Sequence, residues 1–200
     1  MDIEKQKEHF KNHIATFSDY GNIKILDFAN PESIYYRIRF IFEDDYCKVH
    51  ISGDLGELIA SNYCDMCYRD FYDDFVHSIE YFMTKVNCHS RPFYEYDYEK
   101  AKEDLNKRFE DYDFIPKFDF ETEEELKEEK IDEILKDFDW RTGLGSKAFD
   151  ILMEIDDDCD EWIDQIGREE TDILELYMLA FELAQEQLKK QSEEEQDAKP

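Results

Sequence analysis

The hydrophobic period of this chain changes once, and that switch limits its folds more tightly than any motif. Three early runs read as strands: Ile23 to Phe28, Ser33 to Phe42 and Tyr46 to Ser52. The second sets Ile34, Tyr36, Ile38 and Phe40 against Tyr35, Arg37, Arg39 and Ile41, the alternation of a half-buried strand. Asn30-Pro31 and Glu43-Asp44-Asp45 supply turns, and connections this short favour an antiparallel meander. From about residue 66 the spacing is helical, beginning with the stripe Phe71, Phe75 and Ile79. The expected class is α+β: a small N-terminal antiparallel sheet of about three strands with an N-terminal helix, followed by an acidic helical region.

The flanking elements follow from caps and breakers. Asp2 is placed to cap a first helix carrying Ile3, Phe10, Ile14 and Phe17, which Tyr20-Gly21-Asn22 ends. Gly53-Asp54-Leu55-Gly56 is read as the turn that takes the chain out of the sheet, and Tyr81 to Val86 as a short helix before the Arg91-Pro92 break. Asp97 caps a helix through Ala101, Leu105 and Phe109. Thr122 and Glu125 form a capping box ahead of Leu126, Ile131, Ile134, Leu135 and Phe138. Ser146 caps a helix with the stripe Phe149, Leu152, Ile155, Trp162, Ile163 and Ile166, stopped at Gly167. The last helix, about 170–190, is apolar nearly all round between Leu174 and Ala184, which places it in the middle of a helical layer. The expected division is an α+β domain over 1–115, an acidic helical region over 116–191 and a disordered tail over 192–200.

Charge narrows the function classes. The 200 residues hold 53 acidic and 24 basic side chains, a formal net charge of −29. A soluble domain is well served by a net charge of roughly 2–8, beyond which self-repulsion opposes compactness. Residues 1–100 carry 19 acids and 11 bases, whereas residues 101–200 carry 34 and 13. With 42% hydrophobic and 16% aromatic residues the chain is still a folding sequence, not an acidic tail. Direct binding to nucleic acid or to an anionic membrane is disfavoured by the sign of the charge. The N-terminus has no signal-peptide pattern and no run of about 18 apolar residues occurs. Five cysteines, an odd number, point to reduced thiols in a cytosol.

Compact motifs for chemistry are weak. Cys47-x-x-His50 and Cys64-x-x-Cys67 have the spacing of a zinc ribbon. However, strand positions three apart face opposite ways, and no glycine turn sits between Cys47 and His50. Packed thiols fit better, with metal binding left open. A redox role for Cys64 and Cys67 lacks the preceding strand and meets carboxylates that raise thiol pKa. The run Asp156 to Asp160 begins like a calcium loop but has Glu161 where glycine is needed and Gly167 where a bidentate glutamate is needed. Gly143-Leu144-Gly145-Ser146-Lys147 departs from phosphate-loop spacing, and the five histidines suggest no triad. No catalytic residue, metal or cofactor is assigned.

The acidic rows remain. Side chains three or four apart on a helix lie roughly 5–6 Å from one another, and duplex DNA presents about one charge per 1.7 Å of axis. Glu121, Glu124, Glu125, Glu128, Glu129 and Asp132, extended by Glu133, can imitate a phosphate track. Asp156, Asp157, Asp160, Glu161 and Asp164 form a second row; Asp104, Glu110, Asp111 and Asp113 form a third. Any single row equally suits a solvated helix face. Tyr112, Phe114, Phe118, Phe120 and Trp140 are aromatic anchors or core among the acids.

Two further stretches, Ile51-Ser52-Gly53-Asp54-Leu55-Gly56-Glu57 and Phe93-Tyr94-Glu95-Tyr96-Asp97 leading into Glu99-Lys100-Ala101-Lys102, carry a resemblance over roughly residues 33–110. They resemble small acidic proteins encoded in phages and prophages of Gram-positive bacteria, a setting that includes anti-CRISPR inhibitors. The resemblance implies a non-enzymatic protein of the host cytosol directed at a bacterial defence nuclease, with no catalytic motif to carry over. Joined to the acidic rows, it leads to the expectation of a nucleic-acid mimic. Such a mimic would occupy the basic channel of a partner, a Cas effector nuclease, without touching nucleic acid itself. The alternatives are a metal-dependent nuclease or hydrolase of a mobile element, and an acidic interaction protein without mimicry.

Overall fold

The strand alternation around Ile38 lies at the centre of a sheet twice as wide as the sequence predicts. The computed structural model describes residues 3–110 and 123–197. It divides into two units, Met1–Phe93 with Asp172–Pro200, and Tyr94–Thr171. Unit 1 begins with α1 (Ile3–Phe10) and the strands β1 (Ile14–Asp19), β2 (Ile23–Ala29), β3 (Ile38–Glu43), β4 (Lys48–Gly53) and β5 (Gly56–Ser61). A π-helical turn (Tyr72–Val76), α2 (Ile79–Met83) and β6 (Val86–His89) follow. Unit 2 comprises β7 (Tyr94–Tyr96), α3 (Tyr98–Glu110), α4 (Glu123–Leu135), β8 (Phe138–Asp139), β9 (Gly143–Leu144), α5 (Ser146–Met153) and β10 (Arg168–Glu170). The chain then returns to unit 1 as α6 (Ile173–Asp197).

The expected sheet of about three strands is therefore corrected to six, all antiparallel, in the order β1-β2-β3-β4-β5-β6. Three elements account for the difference. Ile14 and Phe17 are spaced as on a helix, but α1 ends at Phe10 and residues 14–19 pair with β2 instead. In β1 it is Ala15 that is buried, while Ile14 and Phe17 stand 49% and 36% exposed. The Gly53 to Gly56 segment is a two-residue hairpin turn joining β4 to β5, so it keeps the chain in the sheet. A Cβ on Gly53 would overlap the Arg37 carbonyl oxygen, which explains the glycine. Finally, β6 adds to β5 after a short helix: the helix expected over Tyr81 to Val86 is α2, which runs earlier and ends at Met83, leaving Val86 to start the strand.

The period of two decides which face is buried. Leu26, Phe40, Ile51 and Leu58 are register neighbours on successive strands and form one buried row; Phe42, Val49 and Ala60 form the next. The apolar stretch of α6 covers this face. Phe181 lies 5.2 Å from Phe40, 6.0 Å from Phe42 and 4.9 Å from Phe71 between ring centroids. Hence α6 is a sheet-covering helix, not the middle of a helical layer, and it also meets α1, α2 and the π-helical turn. It continues to Asp197, through residues where a tail was expected. Gln187 of α6 also blocks the β1 edge: its Oε1 accepts from Ala15 N at 3.0 Å and its Nε2 donates to His13 O at 2.8 Å.

Unit 2 has its own core. Ala101, Leu105 and Phe109 of α3 pack with Ile131, Ile134 and Leu135 of α4, Ala148 and Leu152 of α5, and Cys159, Trp162, Ile163 and Ile166 beyond them. Asp97 caps α3 as its position suggested, accepting from Lys100 N at 2.7 Å. Gly167 has φ +72°, and a Cβ there would come 2.7 Å from Asp97 O and from Ala101 Cβ, so close packing requires glycine. The capping-box residue Thr122 lies outside the described residues. The helix expected from Ser146 to Gly167 ends at Met153. Asp156 then turns the chain by accepting from Asp158 N at 3.0 Å, a local bond that competes with helix, and two 3₁₀ turns (Cys159–Glu161 and Ile163–Gln165) follow.

His13 is buried, with Nε2 3.2 Å from Tyr36 O and its ring against Phe10 and Phe28. Burial pushes its pKa below the ordinary value, while the Tyr36 carbonyl acts weakly the other way. The unfolded chain then binds more protons than the folded one below pH ~6.5. Stability is thus complete above that pH and falls as pH drops through it. Denaturant titrations from pH 7 to 5 should show this slope, and His13→Gln should flatten it. Phe181→Ala should cost about 3–5 kcal/mol in the same assay.

Candidate acidic interface

Unit 2 concentrates the charge. Its 78 residues carry 29 acidic and 11 basic side chains, a balance of −18, against 24 and 13 in unit 1. The rotation of α4 is set by burial of Leu126, Ile131, Ile134 and Leu135. At 100° per residue this turns Glu125, Glu128, Glu129, Asp132 and Glu133 to the opposite side, where all five are exposed. The first expected row is therefore a continuous helix face over these positions. Glu121 lies outside the described residues, and Glu124 is placed in α4 by its backbone.

Two ion pairs lie at the C-terminal half of the face. Lys130 Nζ lies 2.9 Å from Glu133 Oε2, and that bond lowers the Glu133 pKa. Lys102 Nζ of α3 reaches Asp132 Oδ1 at 3.5 Å. Glu128 and Glu129 form no ion pair among the described residues. Acids near the start of α4 also complement the positive end of its dipole.

The second row does not form a helix face, because the helix it required stops at Met153. Asp156 turns inward, its carboxylate 14% exposed, and accepts from Trp162 Nε1 at 2.9 Å with Arg108 Nη2 3.9 Å away. It holds a buried indole in place and is lost to a phosphate track. Asp157, Asp160, Glu161 and Asp164 are exposed, but on a loop and two 3₁₀ turns. In the third row Asp104 is bound by Lys100 Nζ and Gly167 N, both at 2.9 Å, and Glu110 is exposed. Asp111 and Asp113 lie outside the described residues, as do Tyr112, Phe114, Phe118 and Phe120. Trp140 is 53% exposed, with the Arg141 guanidinium 4.5 Å from its ring centroid.

The glycine segment before α5 is occupied by the protein's own carboxylate. Asp137 Oδ2 accepts from Lys147 N at 2.8 Å and thereby caps α5, a role expected of Ser146. Asp137 lies ten positions upstream, too far for a local capping pattern to reveal. Among the cysteines, Cys47 packs against the core of unit 1, while His50 sits on the other face of β4, 3.0 Å from Glu43 Oε1. Burial raises the Cys67 thiol pKa, and its Sγ donates to Asp70 Oδ2 at 3.0 Å; Asp65 raises that of Cys64. No group of three or more His, Cys, Asp or Glu is arranged to hold an ion among the described residues. Nor is any helix among them long and apolar enough to cross a membrane.

Comparison with family models, with curated proteins and with solved structures found no match.

Two adjacent acids of the second row should respond differently to substitution. Asp156→Ala leaves Trp162 Nε1 without its acceptor and should destabilise unit 2 by about 1–3 kcal/mol. Asp157→Ala, one residue on but exposed, should stay within about 0.5 kcal/mol in the same thermal or denaturant melt.

Proposed function

We propose that the chain is a non-enzymatic binding protein that presents the α4 face to the cationic, nucleic-acid-binding groove of another protein. The observation that carries this reading is the continuous exposed face of Glu125, Glu128, Glu129, Asp132 and Glu133 on the more acidic unit. Neighbouring carboxylates roughly 5–6 Å apart offer a groove of Arg and Lys repeated anionic partners. The rigid backbone of a helix holds them without the ordering cost of a flexible acidic segment. Exposed Trp140 of the same unit supplies an aromatic of the kind that anchors protein contacts.

In the setting implied by the resemblance to phage and prophage proteins, the groove belongs to a defence nuclease such as a Cas effector. The protein would act in the host cytosol as a stoichiometric inhibitor. The basic channel of such an effector holds a guide–target heteroduplex through its backbone, so an acidic guest competes with phosphate and not with base sequence.

The test is capture of a nuclease from bacterial lysate on the immobilised protein, with elution by stepped salt and by duplex DNA. Screening shortens electrostatic reach from about 10 Å at 0.1 M salt to about 3 Å at 1 M, so retention should fall steeply. The combined variant Glu125→Gln, Glu128→Gln, Glu129→Gln, Asp132→Asn should bind at least tenfold more weakly, about 1.4 kcal/mol. Equal retention of parent and variant at every salt step would remove α4 from the contact.

A further inference from the structure

The basic residues of unit 2 are not spread evenly among its acids. Four of the 11, Lys100, Lys107, Arg108 and Arg168, line one cleft of about 570 Å³ that contains a single carboxylate, Asp104. That carboxylate is already committed, accepting from Lys100 Nζ and from Gly167 N, both at 2.9 Å. In a unit of balance −18 this convergence runs against composition, whereas a further acidic patch would not.

The two arginines are held by stacking. Arg108 Cζ lies 4.7 Å from the Trp162 ring centroid, and Arg168 Cζ lies 3.4 Å from that of Tyr94. Stacking uses the guanidinium faces and leaves in-plane N–H donors for an oxyanion. Arg168 makes one neutral bond, Nη1 to Gln165 Oε1 at 3.2 Å, and no ion pair among the described residues. Arg108 is only loosely paired, 3.9 Å from Asp156. Lys107 pairs with Glu103 at 2.7 Å, but both side chains are more than 60% exposed, and such a pair exchanges readily. Buried Trp162 and Ile166 give the cleft a firm floor.

We infer that this cleft binds a small phosphate-bearing ligand, with Arg108 and Arg168 holding the oxyanion and Lys107 adding charge. Its volume falls within the usual 300–1,000 Å³ of small-molecule sites. Small size follows from the surroundings as well. Attraction at 0.15 M salt reaches about 8 Å, and an extended polyanion leaving the cleft would meet the acids of the rest of the unit. The site is independent of the α4 face and goes beyond the binding role proposed for it.

The two tryptophans, Trp140 and Trp162, make a direct test available. Trp140→Phe leaves Trp162, beneath Arg108, as the only indole. Titration of that protein with pyrophosphate should give a saturable fluorescence change at constant ionic strength. Adding Arg168→Gln should weaken the half-point at least tenfold, and Lys107→Gln severalfold, whereas Lys11→Gln in unit 1 should leave it unchanged. Circular dichroism checks that each variant is folded. Calorimetry with pyrophosphate and ADP separates the sources: equal affinity indicates the phosphate alone, and tighter ADP a nucleotide. The inference is overturned if no saturation occurs, if both cleft variants titrate like the parent, or if chloride and sulfate at matched ionic strength give the same change.

Discussion

The seating of α6 on the six-stranded sheet is the contact on which unit 1 depends. Phe181 is the pivot, touching rings from β3 and from the segment after β5. Without that helix, the rows from Leu26 to Leu58 and from Phe42 to Ala60 would lose much of their apolar cover. Aromatic pairs add to simple burial, because the edge-to-face geometry of Phe181 with Phe40 and Phe71 is the favourable one. His13, Gln187 and the β1 edge are all fastened around the same helix, so the polar bonds of that region are tied to one hydrophobic event.

The second constraint is repulsion, and unit 2 meets it locally. α3 carries Lys100, Lys102, Lys107 and Arg108, and each is placed within 4 Å of a carboxylate. Individually these contacts are worth little at exposed positions. Their joint effect is to decide where the negative field remains. Asp104, Asp132 and Asp156 are offset, while Glu128 and Glu129 on the α4 face form no ion pair among the described residues. An uneven distribution of pairs turns a uniformly acidic composition into a surface with a direction.

How much of this was legible in the sequence depended on the range of the determining interaction. β2, the core of β3 and β4 were readable because alternation is local. The Asp97 cap and the apolar faces of α3 and α4 were readable for the same reason. β1 was misread because Ile14 and Phe17 fit a helical spacing; pairing with β2, a non-local event, overrode it. β5 was hidden by a glycine turn that could lead out of a sheet or back into it. The second acidic row failed because the Asp156 side chain supplies hydrogen bonds that stop a helix the apolar spacing would have continued. Asp137 at the start of α5 and the gathering of bases around Arg168 depend on folded proximity, which no window of residues contains. The acidic face of α4, by contrast, was legible from charge spacing together with the buried positions that fix its rotation.

Unit 2 occupies an uninterrupted stretch of chain, whereas unit 1 is split and receives its last helix only after residue 172. During synthesis the insert therefore has every element of its core before the surrounding unit has its own. The sheet, complete in strands by residue 89, must wait with an apolar surface uncovered while more than eighty further residues are made. Nascent chains halted in that interval should be the ones most in need of a chaperone, and release of the final helix should end that need.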